Sequence, residues 1–246
     1  MPDSGGLESL EEFRDSLREV ETLLSLNPHE SLDGGIHSNS ASRDLANAIT
    51  RSCTVMLVAH FEGFVKSGLT ELIDEICLAK PPARRVPEAL LELHTRERIQ
   101  EIFGTEGPER IQRTRRLFAL YAPLWDDDRA INPQILSAKI LARQFTSAKP
   151  EVLVEVFSLL GVNDLSGQLD DQVNRASAGR GESGSSIKVS LKLTEIVERR
   201  NKIAHGDKNE KPTSTEVKGY MEFLQDVADC LSGILEKRIQ HCCSLR

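Results

Sequence analysis

Residues Arg199–Gly206 read RRNKIAHG, which places two arginines, an asparagine and a histidine directly before a glycine. Glycine commonly follows the last turn of a helix, because it tolerates a positive φ angle. The stretch is therefore either the solvated basic end of a helix or a site that binds a phosphate group and moves a proton. The rest of the sequence has to decide between these two interpretations.

The spacing within this stretch limits which side chains can meet. On an α-helix Asn201 and His205 are four residues apart and share a face, whereas Arg200 and His205 are about 140° apart. A straight helix therefore does not bring Arg200 to His205. Either the helix loosens before Gly206, or two copies of the chain meet across a two-fold axis and complete one site.

Apolar residues recur every three or four positions along most of the chain, as is typical of amphipathic helices. Residues Val152–Phe157 (VLVEVF) are the one run that also suits a strand. Thr213 and Glu216 have the spacing of a capping box at the start of the last helix. The sequence thus predicts one all-α domain over residues 1–246, an antiparallel bundle with helices near 7–27, 42–80, 86–103, 108–120, 133–145, 150–160, 187–205 and 213–239.

A polar, glycine-rich segment separates the last two helices from the others. It runs from Asn163 to Ser186, and its composition predicts a flexible loop. The segment contains GRGESG, Gly179–Gly184, which formally fits the G-x-G-x-x-G pattern of nucleotide-binding loops. No strand precedes it, so the pattern lacks the structural context of a nucleotide site.

The charge is unevenly distributed. The net charge is −7, and residues 1–33 alone carry nine acidic residues against two arginines, so the remaining chain is neutral. A neutral body does not attract RNA by bulk charge, and any nucleic-acid function must depend on a local site or a partner. Between residues 84 and 125 arginines and glutamates alternate, which is typical of solvated helix faces.

The remaining signals concern thiols, histidines and membranes. Five cysteines without a C-x-x-C pair indicate reduced thiols rather than a metal or redox site. No apolar run approaches the roughly 18 residues of a membrane span, and the acidic N-terminus does not resemble a signal peptide. We therefore expect a cytoplasmic protein without metal, cofactor or membrane contact. His29, His37, His94 and His241 stand singly among polar residues, so we expect them on the surface. His60 lies inside an apolar run, so we expect its side chain to be buried or half-buried.

Residues 198–207, ERRNKIAHGD, resemble the signature of the HEPN superfamily, in which an arginine is followed a few residues later by a histidine. Arg200, Asn201 and His205 occupy the positions of the arginine, its polar neighbour and the histidine. The segment AHFEGFVKSGL, residues 59–69, resembles the helix that carries a glutamate in this superfamily, here Glu62. INPQILSAKILARQF and FSLLGV resemble the middle of the MAE_28990/MAE_18760-like or the RiboL-PSP-HEPN subgroup.

The resemblance covers most of residues 43–240 and implies a HEPN-like antiparallel helical bundle with additional helices inserted in the middle. The charged region at about 84–125 and the acidic first helix depart from it. The motif helix and the final helix would lie at about 187–240. The resemblance gives no function for the departing segments.

The resemblance also implies an activity, that of a metal-independent endoribonuclease of the toxin or phage-defence type. It would act as a homodimer and cleave RNA by attack of the 2′-hydroxyl on the adjacent phosphorus. His205 would act as general acid or base and Arg200 would hold the phosphate. Asn201 would orient the phosphate or the imidazole, Glu62 would fix Arg200 or His205, and Arg199 and Lys202 would bind substrate. The alternative is a non-catalytic module that binds protein or RNA, with an antitoxin or defence protein as a possible partner.

Overall fold

The computed structural model describes residues 6–28, 40–122, 126, 128–181 and 186–244. These ranges contain nine α-helices and no β-strand, which confirms the predicted all-α, HEPN-like fold. None of the helices in these ranges combines the length and hydropathy that a membrane span requires. The helices are α1 (Glu8–Ser25), α2 (Ser40–Ala79), α3 (Glu88–Phe103), α4 (Gly107–Tyr121), α5 (Ala138–Gln144), α6 (Pro150–Leu159), α7 (Leu165–Gly179), α8 (Val189–Ala204) and α9 (Ser214–Cys243).

The chain folds into two compact units. Each unit takes its residues from several separate segments of the sequence. The first unit comprises Met1–Val65, Ser147–Pro150 and Ser166–Ser232, and the second comprises Lys66–Thr146, Glu151–Leu165 and Gly233–Arg246.

The core of the first unit is built on α1 and the first part of α2. Phe13 of α1 packs against Phe61 and Phe64 of α2, with ring centroids 5.5 to 6.1 Å apart within this cluster. Such offset and edge-on arrangements add to the stabilisation from burial. The predicted stripe of α1 is confirmed, since all five of its apolar residues are buried: Leu10, Phe13, Leu17, Val20 and Leu24.

The predicted capping box at the start of α9 is also present. The Thr213 backbone N–H donates to Glu216 Oε2 at 2.7 Å, and the Glu216 N–H donates to Thr213 Oγ1 at 3.2 Å. Behind it, Val217, Leu224 and Ala228 are buried along one face of the helix. Local sequence signals therefore fix where α9 begins and which face it buries.

The predicted loop between Asn163 and Ser186 is wrong over most of its length, because Leu165–Gly179 forms α7. Leu165, Leu169 and Val173 are buried and recur every four residues, which is the stripe of a helix. Small and polar residues between them lower the mean hydropathy and hide the stripe. The second half of GRGESG lies outside the described residues, as do His29 and His37.

Helix α7 holds the start of α8, the helix that carries the arginine–histidine motif. Lys188, at the N-cap of α8, provides no side-chain cap. Asp170 of α7 takes this role, since its Oδ1 accepts the Val189 N–H at 2.8 Å while its Oδ2 accepts Lys188 Nζ at 2.9 Å. Burial alone would raise the pKa of Asp170, but the bonds from Lys188 and Val189 lower it overall. The first turn of α8 thus depends on an ionised carboxylate of α7.

The second unit has its own core. Large apolar side chains that are nearly inaccessible to solvent come from each of its helices except α4, of which Tyr121 alone is buried. The buried apolar residues of this core are Leu69, Leu72, Ile73, Ile76, Leu90, Leu91, Ile135, Leu141, Phe145, Leu153, Phe157 and Leu235.

Helix α5 begins at Ala138 instead of the predicted position 133, because Asn132–Gln134 forms a turn in which Asn132 Oδ1 accepts the Gln134 N–H at 3.0 Å.

The prediction that His94 lies on the surface is wrong. His94 is completely buried in α3, with Nδ1 2.8 Å from the Leu90 carbonyl oxygen and Nε2 3.2 Å from that of Ser137. It lies one turn after Leu90 and Leu91, so it belongs to the apolar face in spite of its charged neighbours. Burial lowers its pKa. His241, by contrast, is exposed as predicted.

We expect Asp170→Ala to lower the free energy of unfolding by about 1 kcal/mol at neutral pH, the usual loss for a removed helix cap. Because the folded state lowers the pKa of Asp170, its contribution is complete above the usual aspartate pKa of about 3.9 and disappears as the pH falls further. Urea unfolding at neutral pH and near pH 3 measures this.

The matched control is Asp171→Ala, which removes the same charge from an exposed neighbour on the same helix. It should leave the unfolding free energy nearly unchanged. Equal losses for both variants, or a loss for Asp170→Ala that persists in acid, would contradict the capping role.

Candidate functional site

The motif helix ends in a Schellman motif. The Gly206 N–H donates to the Ile203 carbonyl and the Asp207 N–H to the Lys202 carbonyl, each at 3.0 Å, and Gly206 has a φ angle of 86°. This is the pattern in which a residue in the left-handed region terminates a helix. His205 is the C-cap, one residue beyond the regular helix, and is exposed. Gly206 therefore stops α8 as its sequence indicates.

Arg200 lies one turn earlier and faces α2. Its Nη2 donates to Glu62 Oε1 at 2.5 Å, and the two side chains are only 22% and 20% exposed. Glu62 Oε1 also accepts the backbone N–H of Ala148 at 3.0 Å. The structure thus brings together two of the residues that the sequence singles out, although they are separated by 138 positions.

The guanidinium of Arg200 retains donors that Glu62 does not use. A guanidinium has five N–H donors in a fixed plane. Within the described residues one hydrogen bond from Arg200 is found, and its buried Nε has no partner. The ion pair orients the guanidinium through Nη2, and Nη1 has no hydrogen-bond partner among the described residues.

His205 and Asn201 lie at the outer end of the helix. Asn201 is half-buried, and its backbone carbonyl accepts the His205 N–H at 2.9 Å. Among the described residues, no hydrogen bond or ion pair joins the His205 side chain to Arg200 or Asn201. One chain therefore presents an oriented guanidinium and an exposed imidazole at different positions around the same helix end.

Arg199 and Lys202, predicted to bind substrate, are both engaged with carboxylates. Arg199 Nη1 donates to Glu216 Oε1 at 2.8 Å and to the hydroxyl of Tyr220, and its Nε lies 3.3 Å from Glu210 Oε2. Lys202 Nζ donates to Glu210 Oε1 at 3.0 Å. A phosphate would have to compete with these acids, so the substrate role of Arg199 and Lys202 stays a prediction.

Arg51 is a residue at this helix end that the sequence interpretation misses. Its Nη1 donates to the backbone carbonyls of Asp207 and Glu210, the latter at 2.7 Å. Arg51 therefore holds the loop that follows His205. Its partners are carbonyl groups, which every residue has, so no sequence pattern could reveal this contact.

His60 is half-buried, as its place in the apolar run predicts. Its Nε2 lies 3.9 Å from Glu19 Oε2, and the imidazole is 27% exposed. His60 contacts α1 whereas Glu62 contacts α8, so the two side chains leave α2 on different faces. His60 thus belongs to the contact between α1 and α2 in the first unit.

The chemistry of this helix end rests on few groups. In the described part of the chain no three or more histidine, cysteine, aspartate or glutamate residues cluster in a way that could hold a metal ion. The candidate site brings together the Arg200–Glu62 ion pair, the exposed His205 and the half-buried Asn201. An arginine followed a few residues later by a histidine, on the last turn of a helix in an all-α chain, is the pattern that resembles the HEPN superfamily.

Comparison with known proteins gives the family. The model of the family described as RiboL-PSP-HEPN matches residues 11–237, so the chain belongs to this family of the HEPN superfamily. No match was found among curated proteins or among solved structures. Membership in this family indicates a nuclease-like or RNA-related role.

A double-mutant cycle on Glu62 and Arg200 tests whether the pair joins the two helices. Each single alanine substitution leaves a partly desolvated charge without its partner and should lower the free energy of unfolding by about 2 kcal/mol. The double variant should lose less than the sum, with a coupling energy of about 1 kcal/mol or more. Urea unfolding of the four proteins gives the coupling.

The control cycle uses Arg18 and Asp15, an exposed pair on α1. Its coupling should stay below about 0.5 kcal/mol, because solvent screens exposed pairs. Additive losses at Glu62 and Arg200 would show that their contact contributes nothing to the fold.

Proposed function

We propose that the chain is a metal-independent endoribonuclease that cleaves RNA by transesterification at a site formed by Arg200, Asn201 and His205. The observation that supports this most is the ion pair of Arg200 with Glu62, which orients a guanidinium with unused donors beside the helix end that presents an exposed imidazole. A permanent planar cation and a side chain that can accept or donate a proton are what phosphodiester cleavage needs.

The proposed reaction needs no nucleophile from the protein. The 2′-oxygen of the RNA attacks the adjacent phosphorus as it loses its proton, and the bond from phosphorus to the 5′-oxygen breaks. The leaving oxygen gains a proton, and the products carry a 2′,3′-cyclic phosphate and a 5′-hydroxyl. His205 would accept or donate one of these protons. A substrate without a 2′-hydroxyl cannot react.

Arg200 would stabilise the negative charge that develops on the phosphate oxygens. Donors that are already oriented towards this charge lower the barrier without reorganisation during the reaction. Glu62 would act as a positioning residue, since its Oε1 accepts the hydrogen bond from Arg200 Nη2. Asn201 would orient the phosphate or the imidazole.

We propose that the active form is a homodimer. Arg200 faces α2 in its own chain and lies about 140° around the helix from His205, so one chain presents the two groups in different directions. A second copy related by a two-fold axis would place the same motif opposite the first. Each phosphate could then meet a guanidinium and an imidazole from different chains. A toxin or phage-defence role in the cytoplasm, restrained by an antitoxin or defence partner, fits such an enzyme.

One observation favours a second candidate, a non-catalytic binding module. Glu210 and Glu216 form ion pairs with Arg199 and Lys202 near the end of α8, which offsets the positive charge of these two residues. Incubation of the purified protein with total RNA in EDTA distinguishes the candidates. Cleavage with cyclic-phosphate ends supports the nuclease, and a stable complex with a partner protein without cleavage supports the module.

We expect His205→Ala to reduce the rate of RNA cleavage at least about 100-fold, the usual contribution of a general acid or base. The readout is cleavage of a labelled RNA in EDTA, with the cyclic phosphate identified by mass spectrometry. Light scattering should show that the variant remains a dimer. The matched control, His241→Ala, removes an exposed histidine of α9 and should cleave at the rate of the wild type. Undiminished cleavage by His205→Ala would end the assignment.

A further inference from the structure

The second unit contains a cavity between α3 and α4 that the proposed reaction does not use. Its volume is about 370 Å³, within the range of sites that bind small molecules. Residues from α3 and α4 form most of its wall, and Gln134 also lines it. The lining residues are Arg98, Glu101, Ile102, Arg113, Arg116, Leu117, Leu120, Tyr121 and Gln134.

The cavity carries excess positive charge, since three guanidinium groups line it and one carboxylate does. Arg98 donates to both oxygens of Glu101, at 3.0 and 2.8 Å. Arg113 donates to Glu109, with the shorter bond at 2.6 Å. Arg116 has no hydrogen-bond or ion-pair partner within the described residues. The positive charge of Arg116 is therefore not offset by a paired acid in this part of the chain.

The surrounding helix adds to this positive charge. Helix α4 carries four arginines against one glutamate, and only Tyr121 of its residues is buried. A surface helix with an excess of positive charge attracts anions. The chain outside its acidic N-terminal segment is neutral, so an RNA partner needs such a local concentration of arginine.

The rest of the wall is apolar or aromatic. Ile102, Leu117 and Leu120 contribute aliphatic surface, and Tyr121 contributes a ring whose hydroxyl accepts a hydrogen bond from Arg98 at 3.3 Å. Guanidinium groups beside apolar and aromatic surface match the two parts of a nucleotide, a phosphate and a flat base. A simple inorganic anion would leave the apolar wall unused.

An exposed aromatic side chain at the end of α3 contacts α4 outside the lining of the cavity. Phe103 follows Ile102 directly and is 69% exposed, and the Arg110 guanidinium lies 5.5 Å from its ring centroid. Aromatic side chains next to arginines are the usual elements that bind single-stranded nucleic acid without sequence preference. This neighbourhood favours RNA over an acidic peptide, which has no bases to stack.

We propose that the cavity between α3 and α4 binds a nucleoside phosphate unit of an RNA strand, with Arg116 as the principal phosphate ligand. The choice of RNA as the source of the nucleotide rests on the proposed function, whereas the cavity and its charge do not. Arg98 and Arg113 would contribute after partial release from their carboxylates. The cavity would hold the strand and would take no part in the bond-breaking step.

The adjacent residue Arg115 provides a matched control. Arg115 is exposed, does not line the cavity and has no hydrogen-bond or ion-pair partner in the described part of α4 or its surroundings. Helical spacing places it on the same face as Ile111 and Phe118, about 100° from Arg116. Arg115→Glu and Arg116→Glu thus make the same change of charge at neighbouring exposed positions, but only one alters the cavity.

The experiment measures binding of a fluorescent single-stranded RNA of about ten nucleotides by anisotropy in EDTA, at an ionic strength of about 0.15 M. All proteins carry His205→Ala, so that cleavage does not interfere. Arg116→Glu should weaken binding at least about tenfold, while Arg115→Glu should change it less than about twofold. Arg116→Ala should reduce the slope of log affinity against log salt by about one. Circular dichroism confirms that the variants fold.

Two competitors distinguish the sources of the ligand. Adenosine 5′-monophosphate should bind more weakly than the RNA, because it represents a single nucleotide of the strand. If it instead displaces the RNA at concentrations well below that expectation, the cavity binds a free nucleotide and the RNA assignment is overturned. If polyglutamate binds in an Arg116-dependent manner and RNA does not, the site belongs to an acidic protein partner. Equal effects of Arg115→Glu and Arg116→Glu, or none from either, would overturn the cavity as a specific site.

Failure of this proposal and failure of the proposed function are separable. Suppose that, with His205 intact, neither Arg115→Glu nor Arg116→Glu changes RNA binding or RNA cleavage. The cavity proposal is then wrong, and the proposed nuclease activity stands. RNA binding that depends on Arg116, in a protein that cleaves no RNA, removes the nuclease and leaves the cavity.

Discussion

The ion pair between Arg200 and Glu62 is the constraint on which the candidate site depends. It joins α8 to α2 over 138 positions of sequence and removes both charges from most of the solvent. Because Arg200 faces α2, side chains elsewhere around α8 point in other directions. His205, five positions later and beyond the last regular turn, is left exposed at the C-cap. The fold thus separates an oriented guanidinium from an exposed imidazole at one helix end.

The carboxylates around this helix end explain how a neutral body can carry a basic motif. Glu210 and Glu216 pair with Arg199 and Lys202, and Arg51 binds the carbonyl oxygens of the following loop. These contacts stabilise the end of α8 at the expense of its general affinity for anions. Substrate binding would then rely on Arg200 itself and on surfaces elsewhere, of which the arginine-lined cavity of the second unit is the clearest.

Sequence patterns predict the elements with regular apolar stripes and the contacts made by conspicuous residues. The buried faces of α1 and α9 and the capping box of Thr213 follow from local spacing. The pairing of Glu62 with a cation of the motif stretch was open to inference, because an acid on an apolar helix needs a partner. Helix α7 was missed because its three apolar residues are diluted by small and polar ones.

Other features could not have been found in the sequence. The burial of His94 depends on which turn of α3 packs inward, and its partners are backbone carbonyls. Arg51 likewise binds only backbone oxygen atoms, which carry no sequence signature. The cavity of the second unit requires α3 and α4 to lie side by side, and the alternating arginines and glutamates alone indicate no more than a solvated surface.

The most direct measurement mixes two inactive variants, Arg200→Ala and His205→Ala, and follows RNA cleavage as subunits exchange. Native mass spectrometry must show that mixed dimers form. A mixed dimer has one pocket in which the guanidinium of the His205→Ala chain meets the imidazole of the Arg200→Ala chain. This pocket is intact, so cleavage should return. If mixed dimers form and the RNA stays uncut, while the wild type cleaves it, each chain uses its own arginine and histidine and the shared pocket is contradicted.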